Sequence, residues 1–338
     1  MRFLIIAIAI FGVVLALLPH IIYLLAKLMS LIAPLRVSYR PFGLAALGLV
    51  ALGIVLSFVG NIYAYYCREV KEVSLTFDNL PRSFDGLRIV HISDLHLDGW
   101  VGHEQLLLAR IEEINALEPD IICFTGDLVS MSADELNPFV PILQNLHAKD
   151  DNQVYAVLGN HDYLPYNRSL SLKERNEAIA GLVRTEREEL GWTVLLNESA
   201  VIRRGNDSIA ILGCENQSLG AHPVVQRGDL ARTIAGIDSE RTFSILLTHD
   251  PSQWRKEMLP QTHIPLTLSG HTHAMQMRIF GFTPSKWIYP ECDGLYTESG
   301  QHLYVNIGLG GILPWRLGAT PEITLLTLHT SPKETLGG

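Results

Sequence analysis

Acidic residues are absent from the first 67 positions of this 338-residue chain, although the whole carries 35 Asp and Glu against 26 Lys and Arg, a formal net charge of −9. That absence excludes an ordinary charged globular surface over the amino-terminal fifth. Residues 3–26 and 41–67 lack Lys and Arg as well, and both runs exceed the ~20 residues that cross a bilayer's hydrocarbon core. Two transmembrane helices are predicted. A cleavable signal peptide is the alternative for the first run, but that run is long for one and shows no clear small-residue cleavage site. Two spans put the amino terminus and everything after residue 70 on the same side. Arg2, Arg68 and Lys71 there balance Lys27, Arg36 and Arg40 in the connecting loop, so the Lys/Arg bias favours neither orientation.

Basic charge is scarce too. With Arg2, Lys27, Arg36 and Arg40 set aside, 22 basic residues face all 35 acidic ones, about −13. Nucleic-acid binding through the phosphate backbone is not expected. The cysteines are Cys67, Cys123, Cys214 and Cys292, with no C-x-x-C pair; that excludes a zinc knuckle and leaves buried free thiols as the reading. No internal repeat or low-complexity tract interrupts the chain. Roughly 270 residues remain after the spans, enough for one substantial domain.

Within that remainder, short Val/Ile/Leu-rich runs at 87–92, 121–124, 154–158, 243–247 and 264–268 each end, after one or two small residues, in Asp, His or Asn. Such runs read as buried strands that deliver side chains at their carboxyl ends. Helical spacing at 104–117, 133–146 and 172–190 alternates with them, arguing for an α/β fold. Residues 192–213 read as a hairpin around Gly205-Asn206-Asp207. Further strands at 303–307 and 322–328 favour two packed sheets over a single parallel one.

The strand ends present Asp94-Leu95-His96, Gly126-Asp127, Gly159-Asn160-His161-Asp162, His249 and Gly270-His271-Thr272-His273. Alternate residues of a strand share a face, so Asp94 with His96, and His271 with His273, can aim at one ion. A lone histidine would be an ordinary core or surface residue; five polar strand ends together point to metal. Imidazole with carboxylate suits Zn, Mn or Fe. Two divalent ions about 3.5–4 Å apart can clamp the attacking and leaving oxygens of an in-line displacement, which calls for a shared carboxylate. Asp162 is expected to orient His161 or to cap a turn.

The ordered set D-x-H, G-D, G-N-H-D, H and G-H-x-H resembles the calcineurin-like metallophosphoesterase superfamily. The text around Leu87-Arg88-Ile89-Val90-His91-Ile92-Ser93, Arg316-Leu317-Gly318 and Pro321-Glu322-Ile323-Thr324 resembles its bacterial, membrane-associated YkuE/YaeI-like branch. The resemblance implies a four-layer αββα sandwich over 71–338, behind a two-helix anchor over 1–70. It implies that Asp94, His96 and His273 bind one divalent ion, that Asn160, His249 and His271 bind the other, and that Asp127 bridges them. A hydroxide held between the ions would attack phosphorus, with His161 near the leaving oxygen. Three departures stand out: Ser130 where an acidic residue is usual, Ala274-Met275 where small glycines are common, and Asp98 where glycine is frequent.

The implied substrate is a phosphodiester or pyrophosphate at the membrane, a lipid-linked one such as a UDP-acylated-sugar precursor of lipid A being one form. Hydrolysis of soluble phosphoesters by an anchored enzyme is the alternative, and a non-catalytic metal-bound scaffold is a third. The expected location is the cytoplasmic membrane of a bacterium. Residues 164–186, directly after the G-N-H-D motif, are placed to act as a lid.

Overall fold

A computed structural model describes residues 2–33, 36–149, 153–220, 224–238 and 241–332, with the backbone alone over 2–11. Residues 333–338, which the sequence reading includes in the catalytic domain, and the side chains that open the first span lie outside the described residues.

Two long helices come first, α1 (Arg2–Met29) and α2 (Arg40–Tyr66). Their apolar windows, Gly12–Met29 and Arg40–Tyr66, have mean hydropathies of 2.0 and 2.5, and both are almost wholly unburied. Leu24, Leu44, Leu47, Ile54 and Phe58 point outward rather than into a core. Helices apolar all round and uncovered by protein have the character of membrane spans.

The first sheet contains β1 (Glu69–Phe77), β2 (Leu87–Ile92), β3 (Ile121–Phe124), β4 (Val154–Ala156) and β5 (Thr193–Val194). The second contains β6 (Glu198–Arg204), β7 (Asp207–Gly213), β8 (Ser244–Leu247), β9 (Leu266–Ser269), β10 (Gly294–Glu298) and β11 (Gln301–Val305), after which β12 (Glu322–Thr330) returns to the first. The orders are β1-β12-β2-β3-β4-β5 and β10-β11-β9-β8-β7-β6. In the centres, β2, β3 and β4 run parallel, as do β7, β8, β9 and β11.

Alternation along the strands sorts the layers. Leu87 and Ile89 of β2, Ile121 and Cys123 of β3, and Tyr155 of β4 meet Ile209, Ile211, Ile245, Leu247, Leu266 and Leu268 between the sheets. Val90, Ile92, Ile122 and Phe124 face the other way, onto α3 (Glu104–Ala116), α4 (Val140–Leu143) and α5 (Leu172–Glu188). Trp254 and Met258 cover the outer face of the second sheet over Ala210, Leu212 and Leu246. Burying each such side chain contributes about 1.5–3 kcal/mol. The result is the four-layer αββα sandwich.

Three local expectations change. Residues 133–146 do not form one helix: a 3-10 segment, Ala133–Phe139, gives way to the single turn of α4, since Pro138 and Pro141 each remove a backbone donor. The hairpin is β6–β7 alone, because Thr193 and Val194 pair with β4 in the opposite sheet. The strand β10, antiparallel to β11, has no counterpart in the sequence reading.

The end of α2 is fastened to the domain. Tyr65 donates to the Gly99 carbonyl at 2.6 Å and its ring stacks on His103 at 3.9 Å. Asn61 donates to Pro314 O at 2.8 Å, the Trp315 indole N–H to Leu56 O at 3.0 Å, and the Arg316 amide to Gly60 O at 3.0 Å. A Cβ on Gly60 would collide with the Trp315 ring, so only glycine permits this approach.

Candidate metal centre

Every motif named from the sequence lands at one end of the two sheets. Asp94, His96 and His273 form one group and Asp127, His249 and His271 another, with the potential ligand atoms of each within 4.8 Å of one another. Asp127 Oδ2 lies 3.2 Å from His249 Nε2 and 3.5 Å from His96 Nε2, between the groups. Asp94 Oδ1 is 3.2 Å from His273 Nε2, and His271 Nδ1 is 3.2 Å from His249 Nε2. Asn160 is buried beside them with Oδ1 unpaired.

The local geometry departs from a shared strand face. Asp94 and His96 lie beyond the end of β2 with φ of 55° and 47°, and Asp127, His271 and His273 also have positive φ, at 58°, 76° and 49°. Left-handed backbone at non-glycine residues costs roughly 1–2 kcal/mol each. Ala274, Met275 and Gln276 continue the left-handed turn after His273. Strain gathered on ligand residues is characteristic of a functional site that its surroundings hold in place.

The glycines of G-D and G-N-H-D explain each other. A Cβ on Gly126 would strike the backbone of Gly159, and one on Gly159 would strike the Asp127 carboxylate. Asp162 ties the same loops together, accepting from the amides of Gly159, Asp127, Leu128 and Val129 at 2.8–3.0 Å. It therefore holds the Asp127 loop, while His161 is oriented by its own Nδ1, which lies 2.7 Å from Ser130 O. The His161 amide donates to Asp127 Oδ1 at 2.8 Å.

Outer contacts leave imidazole nitrogens facing inward. His249 Nδ1 lies 2.7 Å from Thr125 O, so it donates there and turns Nε2 towards Asp127. Ser130 Oγ is 3.3 Å from His96 Nδ1; with its carbonyl on His161, Ser130 serves two site histidines despite lacking an acidic side chain. Such outer partners fix tautomer and direction. Asp98 points to solvent.

Charges in this pocket are strongly perturbed. Burial pushes the Asp94 carboxyl up to about 6, and burial followed by Asp127 pushes Asp162 up to about 7. Burial holds His96 down at about 3. For His249 burial opposes the charge, but the Asp127 carboxylate overcomes it and raises the group to about 10. Asp127 is correspondingly held well below the usual carboxylate range, against its own desolvation, by His249 and then His161. The donor set fits divalent ions: Asp94 Oδ1 and Asn160 Oδ1 are buried without hydrogen-bond partners, and unpaired buried acceptors ask for a compensating charge.

Several contributors escape sequence reasoning. Tyr289 Oη lies 2.8 Å from His271 Nε2, Asp250 Oδ2 3.6 Å from the same atom, and Tyr166 Oη accepts from Asn160 Nδ2 at 3.3 Å. The adjacency of Asp250 to His249 was the available signal; the tyrosines offered none. Arg316 is buried and donates to the carbonyls of Ile307, Gly308, Gly310 and Ala319, cross-bracing the loop against Asp94. Of the expected lid, α5 is docked through Ile179, Leu182 and Val183, which leaves residues 165–171 as a rim carrying Tyr166.

A sandwich of two sheets whose strand ends gather candidate carboxylate, imidazole and amide ligands suits a metal-dependent phosphoester hydrolase. Residues 87–275, more than half of the chain, match the family model for calcineurin-like phosphoesterase, and the chain belongs to that family. It is 32% identical over 311 residues to the Bacillus subtilis metallophosphoesterase YkuE, covering 88% of this chain and 99% of that protein. It is 31% identical over 288 residues to a Bos taurus transmembrane protein with metallophosphoesterase domain, covering 84% of this chain and 62% of that longer one. An Aquifex aeolicus metallophosphoesterase is 26% identical over 284 residues, 82% of this chain and 97% of its own.

Proposed function

We propose that this chain is a two-ion hydrolase anchored in the bacterial cytoplasmic membrane by residues 1–70, whose catalytic domain, 71–338, acts on a phosphodiester or pyrophosphate carried by a lipid. The carrying observation is the pair of candidate ligand groups, with Asp127 of one lying 3.5 Å from His96 of the other, set one loop away from the docked end of α2. Asp94, His96 and His273 would hold one ion, Asn160, His249 and His271 the other, and Asp127 both; Mn, Zn and Fe all suit these donors. When bound, the ions neutralise phosphoryl oxygens and make water a better nucleophile.

The protein's own groups do the rest. Thr125 O and Ser130 Oγ fix the rings of His249 and His96, and Asp162 locks the Asp127 loop against Gly159. His161, its Nδ1 proton directed at Ser130 O, would use Nε2 to hold a proton for the leaving oxygen.

The test compares lipid-linked pyrophosphate, in mixed micelles, with soluble aryl phosphodiesters, using the full chain loaded in turn with each metal. A higher kcat/KM on the lipid member supports this reading. Equal or higher values on soluble esters would reduce the helices to a simple tether.

A further inference from the structure

We propose that residues 279–288 form a second membrane contact, an aromatic wedge that rests in the interface of the leaflet from which α2 emerges and seats the mouth of the metal centre against the lipid. The inference rests on the membrane reading of α2 above. Phe280 is fully exposed, Trp287 is 78% exposed, and Ile279, Phe282 and Ile288 are each more than a third exposed. A soluble surface seldom gathers that much apolar area in one place without a partner.

The wedge is built, not loose. Ile279 and Phe282 exchange backbone hydrogen bonds at 2.9 and 3.0 Å across a two-residue turn. Phe280 and Gly281 there both take positive φ, 49° and 80°. The buried Thr283 donates to Ala274 O at 2.6 Å and, accepting from the amide of the buried Ser285, caps the 3-10 turn Pro284–Trp287. Anchors therefore face inward while the rings face out. The tight turn holds Phe280 in left-handed backbone with its ring turned out to solvent.

What covers it follows from continuity. The segment leaves the metal centre at His273 and returns to it at Tyr289, whose hydroxyl meets His271. In between, the Arg278 amide donates to Leu317 O at 2.7 Å, and the Gln276 amide group donates to Leu313 O and Trp315 O at 2.8 and 2.7 Å. Those are the residues whose neighbours grip α2 at Leu56, Gly60 and Asn61. Ile312 on that bracing loop is exposed as well. Phe and Trp beside an exposed Lys286 are the composition that settles at a lipid headgroup boundary, ring in and cation out. A bilayer thus covers both the span and the wedge without an additional protein.

The test uses the full chain with Cys67→Ser, reconstituted in vesicles of phosphatidylcholine and phosphatidylglycerol, and carrying one spin label at Phe280→Cys or Trp287→Cys. Leu47→Cys in α2 and Leu172→Cys at the exposed start of α5 serve as references. Collision with oxygen against a water-soluble nickel chelate reports depth. Labels at 280 and 287 should side with Leu47, favouring oxygen, whereas Leu172 favours nickel. Nickel-accessible labels at 280 and 287 beside a lipid-facing Leu47 would overturn the wedge alone; a nickel-accessible Leu47 would overturn the membrane reading itself. Protection at 280 that grows with the protein-to-lipid ratio would assign the face to a second copy and equally overturn the proposal. In parallel, the Phe280→Asp/Trp287→Asp double variant should lose about tenfold or more in turnover of vesicle-borne ester while keeping bound metal and soluble-ester turnover; an equal loss on both substrates would contradict a membrane role.

Discussion

Asp127 lies between the two candidate ligand groups, and His249 and then His161 hold its carboxylate charged against its burial. Asp127→Ala should lose bound metal, and turnover should fall by more than the roughly 10–100-fold typical of outer contacts; elemental analysis beside a phosphodiester assay checks both. His161→Gln, by contrast, should keep its ions and lose about 10²–10⁴-fold in kcat, the usual contribution of a positioned proton donor. Full activity in that variant would remove His161 from the chemistry. Protons compete for the same atoms. Burial raises Asp94 and Asp127 raises His249, so the metal-free site holds protons near neutral pH where an ion needs bare lone pairs. Metal affinity should therefore weaken from about pH 8 to about pH 6, with proton release on binding, measurable by calorimetry in buffers of different ionisation heat. The candidate ligand side chains that gather here were legible in the sequence because each follows a short apolar run. Tyr289 and the carbonyls of Thr125 and Ser130 were not, since their partners come from distant strand ends and backbone acceptors leave no signature.

Elements place these residues through close crossings. The loops after β3 and β4 touch at Gly126 and Gly159, where no side chain fits. Gly159→Ala should destabilise the fold by about 1–3 kcal/mol, the usual cost of overpacking, and should weaken metal binding more than a surface Gly→Ala; paired melting and metal titrations separate the two effects. At the other crossing, Gly60→Leu should push Trp315 off α2 and loosen the loop that Arg316 braces. Hydrogen exchange over 308–317 should rise while the sheet cores stay protected; unchanged exchange would mean that the contact is incidental. The strands of both sheet centres were readable from continuous apolar runs, which buried parallel strands require. The helix over 133–146 was misread because helical spacing outweighed Pro138 and Pro141. Assigning Thr193 and Val194 to the hairpin failed because nothing local in the sequence says that the chain changes sheets there.

At the scale of the whole molecule, charge and apolarity are segregated: an uncovered helical pair with no acidic side chain, and an acidic sandwich whose ligands meet at one end. The two packed sheets followed from the strand count, the four layers from the family resemblance, and the two long apolar helices from uncharged runs. The docking of α2 on the 308–316 loop was invisible, because Gly60 and Trp315 are 255 positions apart and neither belongs to a motif. Ions that bind only the folded domain should stabilise it by mass action, by about 5–10 °C in melting temperature at a hundredfold excess over their dissociation constant. The most direct test of a two-ion hydrolase is to strip the full chain in detergent, titrate Mn²⁺ back, and follow bound ion and phosphodiester turnover together. Turnover that saturates as the second ion per chain binds, and is abolished by Asp127→Ala, is the result required. Turnover complete with one ion, or persisting with none, would contradict it.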